Sequence, residues 1–270
     1  MPSYKNRIPM DPNTPVWRYT SLDAVIAMLR DRTLRLTRVD TFRDPFEGSV
    51  PKQMYDDQVA LFSSVYNVMD EDISAPDPWT VTTLRRLAMT RSAHASCWSY
   101  GDESEALWRL YCADSDEGQG DSRGIGVGLA LRSHLAKLEA SVAHLDLYVS
   151  PVAYRFYHIG PAFTDELDAF MHKRQGFECE REVRLLKFDV AHYHALNSPL
   201  PENPERPLPP ELPAHRFLDW SLVTAIDGIT ISPYASEDYE QKARQATAGI
   251  DPSITVELSV LSDRLYKPNF

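Results

Sequence analysis

Three charged residues alternate along one short segment of the sequence, "GFECEREVRLLKF". If this segment is a β-strand, Glu180, Glu182 and Arg184 point to one face of the sheet. Val183 and Leu185 then point the other way, into the core. A packed interior accepts neighbouring carboxylates only when they are paired with opposite charge or used in chemistry. Two interpretations stay open: a solvated strand face with an internal ion pair, or a catalytic carboxylate pair.

Other segments carry weaker chemical signals. "GIGVG" has neither the Walker spacing nor a full GxGxxG before a helix, so it indicates close backbone packing in a strand. His192 and His194 lack a third ligand nearby, and no metal site is predicted from them. Cys97 beside Trp98 in an apolar segment predicts a buried free thiol.

Arginines are dense in one part of an otherwise acidic chain. Two interpretations stay open: a solvated helix end and strand face, or phosphate binding by one or two guanidinium groups. The residues concerned are Arg30, Arg32, Arg35, Arg38 and Arg43.

Composition predicts an ordinary globular protein. The chain has 270 residues, of which 43% are hydrophobic and 25% charged, enough for a substantial core. The net charge of −11 argues against binding nucleic acid through bulk charge. Three cysteines without CxxC spacing indicate a reducing, cytoplasmic compartment. The polar start predicts no signal peptide, and no apolar run approaches the ~20 residues of a membrane span.

The order of predicted strands and helices favours a single α+β domain over residues 1–270. Thr20 is predicted to cap a first helix. Residues 52–93 read as a helical insertion, broken near "SAPDP". Seven prolines make 199–213 a proline-rich loop. "HASCWSY" reads as a strand, followed by a helix with Trp108 on its inner face.

These stretches, in this order, resemble the bacterial family known as domain of unknown function 2971. The resemblance is carried by "WRYTSLDAVIAMLRDRTLRLTRVDTFRDPFEG", by "ASCWSYGDESEALWRLYCADSDEGQG" and by "KRQGFECEREVRLL". It covers residues 17–188, continues more weakly through "DGITISPY" and "VELSVLSDRLYK", and departs from the family at 52–93.

That family's layout is similar to the ADP-ribosyltransferase superfamily, which implies a split mixed or antiparallel sheet surrounded by helices. In that superfamily a first strand grips NAD, a second carries serine near aromatic residues, and a third carries the catalytic glutamate. Carried over, the resemblance makes Glu182 and Glu180 catalytic. It also implies an NAD-binding set of Arg18, Tyr19, Thr20, Arg43, Ser96, Ser99, Trp108 and Tyr111.

The implied chemistry suits paired carboxylates. Cleaving the nicotinamide–ribose bond develops a cation that Glu182 can stabilise, while Glu180 orients or deprotonates the acceptor. Arg184 or Lys173 can keep both carboxylates ionised. The expected partners are NAD, used as a substrate, and a macromolecular acceptor, nucleic acid or protein, as in a bacterial toxin or anti-phage effector.

Two alternatives remain open at this point. One is a metal-dependent nuclease or phosphodiesterase that holds magnesium through carboxylate oxygens. Its ligands would be Asp44, Glu47, Glu180 and Glu182. The other is a binding or regulatory module without turnover.

Overall fold

The computed structural model describes residue 4 and residues 7–66, 77–112, 126–159, 163–197 and 209–262. These residues form a mixed α+β structure around a nine-stranded sheet, which confirms the predicted class. Among the described strands of this sheet, only the neighbours Gly228–Ile231 and Val256–Leu258 run parallel. Within the described ranges, no helix is both long and apolar enough to cross a membrane.

The strands are β1 (Pro15–Thr20), β2 (Thr33–Arg38), β3 (Ala93–Tyr100), β4 (Leu129–His134), β5 (Tyr148–Pro151), β6 (Ala153–Arg155), β7 (His172–Arg174), β8 (Glu182–Phe188), β9 (His215–Asp219), β10 (Gly228–Ile231) and β11 (Val256–Leu258). β6 and β7 form a separate parallel pair. The helices are α1 (Leu22–Asp31), α2 (Lys52–Tyr66), α3 (Pro78–Arg91), α4 (Glu105–Tyr111), α5 (Leu135–Val142), α6 (Asp168–Met171), α7 (Val190–Asn197), α8 (Leu222–Ala225) and α9 (Glu237–Ala248).

The sheet divides at β3. One edge of β3 pairs with β8 along almost its whole length, from Ala93 to Ser99. The other edge pairs with β1 at the end that contains Ser99 and with β2 at the opposite end, around Ala95. Strands β1 and β2 therefore diverge from a shared neighbour, and β3 is the strand where the two halves of the sheet meet.

The two faces of the sheet bury different side chains. One face packs Trp98, Val183 and Leu185 into the main hydrophobic core, against α1, α5, α8 and α9. This confirms that Val183 and Leu185 point into the core, opposite the charged residues. On the other face, a second core lies under α3 and α7, and a small cluster around Trp108 lies under α4.

Residues 52–93 were predicted to be helical, and the described part of this range contains α2 and α3. Helix α2 ends at Tyr66, and α3 begins at Pro78 with Asp77 as its cap, whose carboxylate accepts from the N–H of Thr80 at 3.1 Å. Residues 67–76, which include most of the predicted break, lie outside the described residues. So do 199–208 of the proline-rich loop, while 209–213 contain neither helix nor strand.

One local prediction was wrong. Thr20 does not cap α1, because it is still the last residue of β1, and Ser21 accepts from the N–H of Ala24 instead. His192 and His194 lie in α7, where Nδ1 of His192 is 2.8 Å from the hydroxyl of Ser92.

Candidate active site

The charged face predicted for β8 exists, but it begins two residues later than expected. Strand register places Glu182 opposite Ser99 and Arg184 opposite Cys97, so these four side chains share one face. The prediction that Glu180 belongs to the same strand was wrong. Residues Gln175–Glu180 form a 3₁₀ helix, and Arg181 at φ 44° turns the chain into β8.

Lys173 nevertheless brings the two glutamates together. Its Nζ lies 2.6 Å from Oε2 of Glu180, 3.4 Å from Oε2 of Glu182 and 3.6 Å from Oε1 of Glu47. Lys173 comes from β7, the strand that leads into the 3₁₀ helix. The carboxylate pair therefore forms through an ammonium bridge between two elements rather than through strand alternation.

Arg184 is the fully buried centre of the cluster, at 0% exposure. Its Nη1 and Nη2 donate to the two oxygens of Glu47 at 3.0 and 3.2 Å. Its Nε donates to Oε1 of Glu182 at 2.7 Å, and Nη1 also reaches the carbonyl oxygen of Phe170 at 2.6 Å. A two-pronged ion pair of this kind fixes orientation as well as charge.

Hydroxyl groups complete the surroundings of the glutamates. Tyr111 of α4 donates to Oε1 of Glu180 at 2.8 Å, and Ser99 donates to the backbone carbonyl of Glu180 at 2.7 Å. The hydroxyl of Tyr154 accepts from the N–H of Glu182 at 2.7 Å. Tyr111 is still 51% exposed, so its ring lies at the boundary between cluster and solvent.

The cluster holds three carboxylates and two cations, which leaves one formal negative charge. Burial opposes ionisation of Glu182, but Arg184 and then Lys173 outweigh it and hold the pKa of Glu182 well below its usual range. Burial likewise opposes the charge of Lys173, yet Glu182 and Glu47 raise the pKa of Lys173. Glu182 is therefore ionised at neutral pH although it is only 4% exposed.

Solvent reaches the sheet surface beside Glu182. Cys97 is partly exposed, whereas its neighbours Ser96, Trp98 and Ser99 in the same strand are buried. Burial, together with the charge of Glu182, raises the pKa of the Cys97 thiol well above its usual value. The thiol stays protonated, which fits the predicted free cysteine and does not suit a nucleophile.

The aromatic residues predicted near the site differ in exposure: Trp108 is buried, Tyr19 is partly exposed and Tyr111 is exposed. Trp108 is buried and meets the ring of Tyr19 edge-on at 4.9 Å between centroids. The hydroxyl of Tyr19 accepts from the N–H of Ser104 at 2.8 Å, which ties β1 to the start of α4. Tyr19, Ser99, Trp108 and Tyr111 thus lie on the same face as Glu182.

The resemblance implied that Arg18 and Ser96 belong to one NAD site with the glutamates, but these two side chains lie on the other face of the sheet. Register pairs Trp17 with Ser99, so Trp17 and Tyr19 point to the Glu182 face and Arg18 points to the opposite face. There Arg18 donates to Ser96 and its guanidinium lies 6.0 Å from the ring centre of Trp98. Burial lowers the pKa of Arg18 to about 10.

Two further predicted NAD-binding residues do not join the cluster. Thr20 follows the alternation of β1 and faces the same way as Arg18, and its carbonyl accepts from the thiol of Cys112 at 3.6 Å. Arg43 is exposed on the loop after β2. On that loop the neighbouring Asp44 pairs with Arg174 at 2.8 Å.

The magnesium-site alternative gains no support from this geometry. Oxygens of Glu47, Glu180 and Glu182 converge on the ammonium of Lys173, so a cation of the protein already occupies the position between them. Asp44 is engaged by Arg174. Among the described residues, no group of three or more His, Cys, Asp or Glu is arranged to hold a metal ion.

A separate cavity of about 440 Å³ lies on the other side of the loop that carries Glu47. Its walls are mainly apolar and come from α2, α3 and the segment around Tyr157 and Phe163. Neither Glu180 nor Glu182 lines it. The cavity is therefore distinct from the charged cluster.

A scan of the chain against protein-family models finds no match, and searches of the curated proteins and of the solved structures find none either. The resemblance to the domain of unknown function 2971 family stays a prediction. The residues of the site must therefore carry the functional argument by themselves.

Acidification is expected to destabilise the protein through this cluster. A group whose pKa is lowered by folding contributes stability above its unfolded pKa and loses that stability as pH falls through its folded pKa. Glu182 is such a group. We expect Glu182 to account for about 1–3 kcal/mol of the free energy of unfolding lost below about pH 4. Urea unfolding across this pH range measures the loss, and Glu182→Gln should show a shallower decline. Parallel pH profiles for the two proteins would contradict the assignment.

Proposed function

We propose that this chain is an ADP-ribosyltransferase that takes ADP-ribose from NAD and transfers it to a macromolecular acceptor, nucleic acid or protein. The observation that carries the proposal is the order of residues across neighbouring strands. On one face, Trp17 and Tyr19 of β1 adjoin Ser99 of β3, which adjoins Glu182 of β8. The three strands that the resemblance implies for NAD binding, serine and glutamate are thus β1, β3 and β8, which are neighbours in this order. The sheet divides at β3, the strand that carries the serine.

An ionised Glu182 suits the chemistry of the first step. Glu182 meets the positive charge that develops at C1′ of the nicotinamide ribose as the bond to nicotinamide breaks. The electron pair of that bond leaves with nicotinamide, which becomes neutral. Arg184 and Lys173 keep Glu182 charged, so no proton has to leave it before the reaction.

We assign Glu180 to the acceptor side of the reaction. It is 9% exposed, holds Lys173 at 2.6 Å and accepts from the half-exposed Tyr111. A lone pair of the acceptor forms the new bond to C1′, and the acceptor proton passes to Glu180. The proposal seats the ribose on the partly exposed sheet surface at Cys97, beside Glu182.

Incubation of the protein with radiolabelled NAD and a bacterial lysate tests the proposal. We expect release of nicotinamide together with label in one class of macromolecule, separated by nuclease and protease digestion. Turnover should continue in the presence of a metal chelator. Nicotinamide release that requires added magnesium, or no NAD consumption with any lysate fraction, would overturn the proposal. The second outcome would leave the binding-module alternative.

A further inference from the structure

A single side chain of α3 holds the loop between β2 and α2. Nη1 of Arg86 donates to the carbonyl oxygen of Pro45 at 2.8 Å. The same nitrogen lies 3.3 Å from the carbonyl oxygen of Glu47 and 3.3 Å from Oγ of Ser49. Three acceptors from a five-residue stretch thus converge on one charged donor, an arrangement that fixes the backbone on both sides of Glu47.

The same loop packs directly onto α3 through a glycine. Gly48 has φ 69°, a left-handed conformation that glycine adopts without strain. A Cβ at this position would lie 2.4 Å from Cγ2 of Thr90 in α3 and 3.5 Å from the ring of Phe170 in α6. The loop backbone therefore lies against the helix with no room for a side chain, next to the residue that reaches the charged cluster.

Because the loop backbone is fixed, the side chain of Glu47 is held in its contact with the charged cluster. It is 5% exposed, and both of its oxygens accept from Arg184. The remaining Nε of Arg184 donates to Glu182. Because Arg184 binds both carboxylates through different nitrogens, a displacement of Glu47 changes the orientation of the guanidinium that holds Glu182.

We infer that α3 is part of the active-site framework: Arg86 fixes the loop, Glu47 on the loop fixes Arg184, and Arg184 orients Glu182. Arg86 and Glu47 are then positioning residues, and the helical insertion has a task in the reaction. The consequence for turnover rests on the proposed function. The mechanical coupling from α3 to Glu182 does not rest on it.

The test compares Arg86→Met with Arg85→Met. Arg85 is the matched control, because it lies next to Arg86 but contacts Tyr193 at 3.3 Å and Glu166 at 3.6 Å instead of the loop. We expect Arg86→Met to lower kcat for NAD hydrolysis about 10- to 100-fold with KM nearly unchanged. The carboxylate of Glu182 is then misplaced relative to the reacting bond, while the surface that binds NAD is unchanged. Arg85→Met should retain wild-type kcat.

A second readout follows Cys97 and needs no activity. Cys97 lies on the same sheet face as Glu182, and burial together with the charge of Glu182 raises the pKa of its thiol. When Glu182 moves away, the thiol ionises more readily, and alkylation by iodoacetamide at one fixed pH should become several-fold faster. Mass spectrometry of the Cys97 peptide measures the rate, and the exposed Cys179 in the same sample is the internal reference.

The outcomes separate the inference from the proposed function. Unchanged kcat and unchanged Cys97 alkylation in Arg86→Met overturn the inference, and so do equal effects in both variants. Faster Cys97 alkylation in Arg86→Met alone supports it, even if no form of the protein consumes NAD. If Arg86→Met does not fold, Arg86→Lys should show the same pattern at smaller size, because lysine keeps the charge but not the planar donor group.

Discussion

Replacing Glu182 by glutamine is expected to slow NAD turnover by about 10²–10³-fold, which corresponds to about 3–4 kcal/mol in the barrier. Glutamine keeps the shape of the side chain and one oxygen that can accept from Arg184 or Lys173, but it lacks the second acceptor oxygen and the charge that the proposed mechanism sets against the developing cation. Initial rates of nicotinamide release measure the effect, while calorimetric titration checks that NAD still binds. Because Glu182 is 4% exposed and paired with Arg184, the variant should also be less stable. The rates should therefore be measured at a temperature at which the variant is folded.

Glu47→Gln is the matched control for this loss of stability. It removes the charge of the other carboxylate bound to Arg184 but keeps the charge of Glu182, the proposed catalytic glutamate. We expect a comparable loss of stability with a smaller loss of turnover. Glu180→Gln should reduce transfer to the acceptor more than simple NAD hydrolysis. Intact turnover in a destabilised Glu182→Gln protein would mean that the carboxylates form only a structural ion pair.

Strand alternation predicted the site only in part, because alternation does not show where a strand begins. The segment "ECEREVR" has the right period for Glu180, Glu182 and Arg184 to share a face. The turn at Arg181, with φ 44°, removes Glu180 from the strand. Arginine rarely adopts this conformation, so the sequence contains no sign of it. Lys173 restores the pairing through a contact that no local pattern encodes.

The error at Arg18 has a similar physical origin. Alternate residues of a strand point to opposite faces of the sheet. The sequence of β1 alone does not show which of these two sets of side chains faces the glutamates. The resemblance implied Arg18 as the NAD-binding residue of this strand, but β1 pairs with β3 so that Trp17 and Tyr19 face Glu182. The register between β1 and β3 decides which set faces Glu182. This register is not evident from the sequence, because β3 pairs with three different strands.

Contacts across long separations were beyond sequence reasoning. Glu47 and Arg184 are 137 positions apart, and Glu47 entered only as a ligand in the magnesium-site alternative. Asp44 and Arg174 meet across a similar span. By contrast, helices and strands with strong apolar periodicity, such as α1 and β3, were predicted to within two residues. The local sequence pattern thus predicts where helices and strands form, whereas the packing of these elements determines which charged side chains come into contact.

Replacing Arg184 by methionine is expected to cause the largest loss of stability of any variant considered, about 3–5 kcal/mol. The guanidinium is 0% exposed and forms ion pairs with both Glu47 and Glu182. Methionine fills much of the space but leaves two buried carboxylates with Lys173 as their nearest cation. Urea unfolding at about pH 7 measures the loss, which should lessen as pH falls and the carboxylates take up protons.

Exposed Arg30 is the control for this experiment, because its pair with Asp31 is equally short, at 2.8 Å, but lies at the surface. Arg30→Met should leave the stability almost unchanged. Adding Glu47→Gln to Arg184→Met should recover part of the loss, because one stranded charge disappears. If Arg184→Met is no less stable than Arg30→Met, water must reach the cluster freely. The buried charges could not then account for the low pKa of Glu182 on which the proposed chemistry depends.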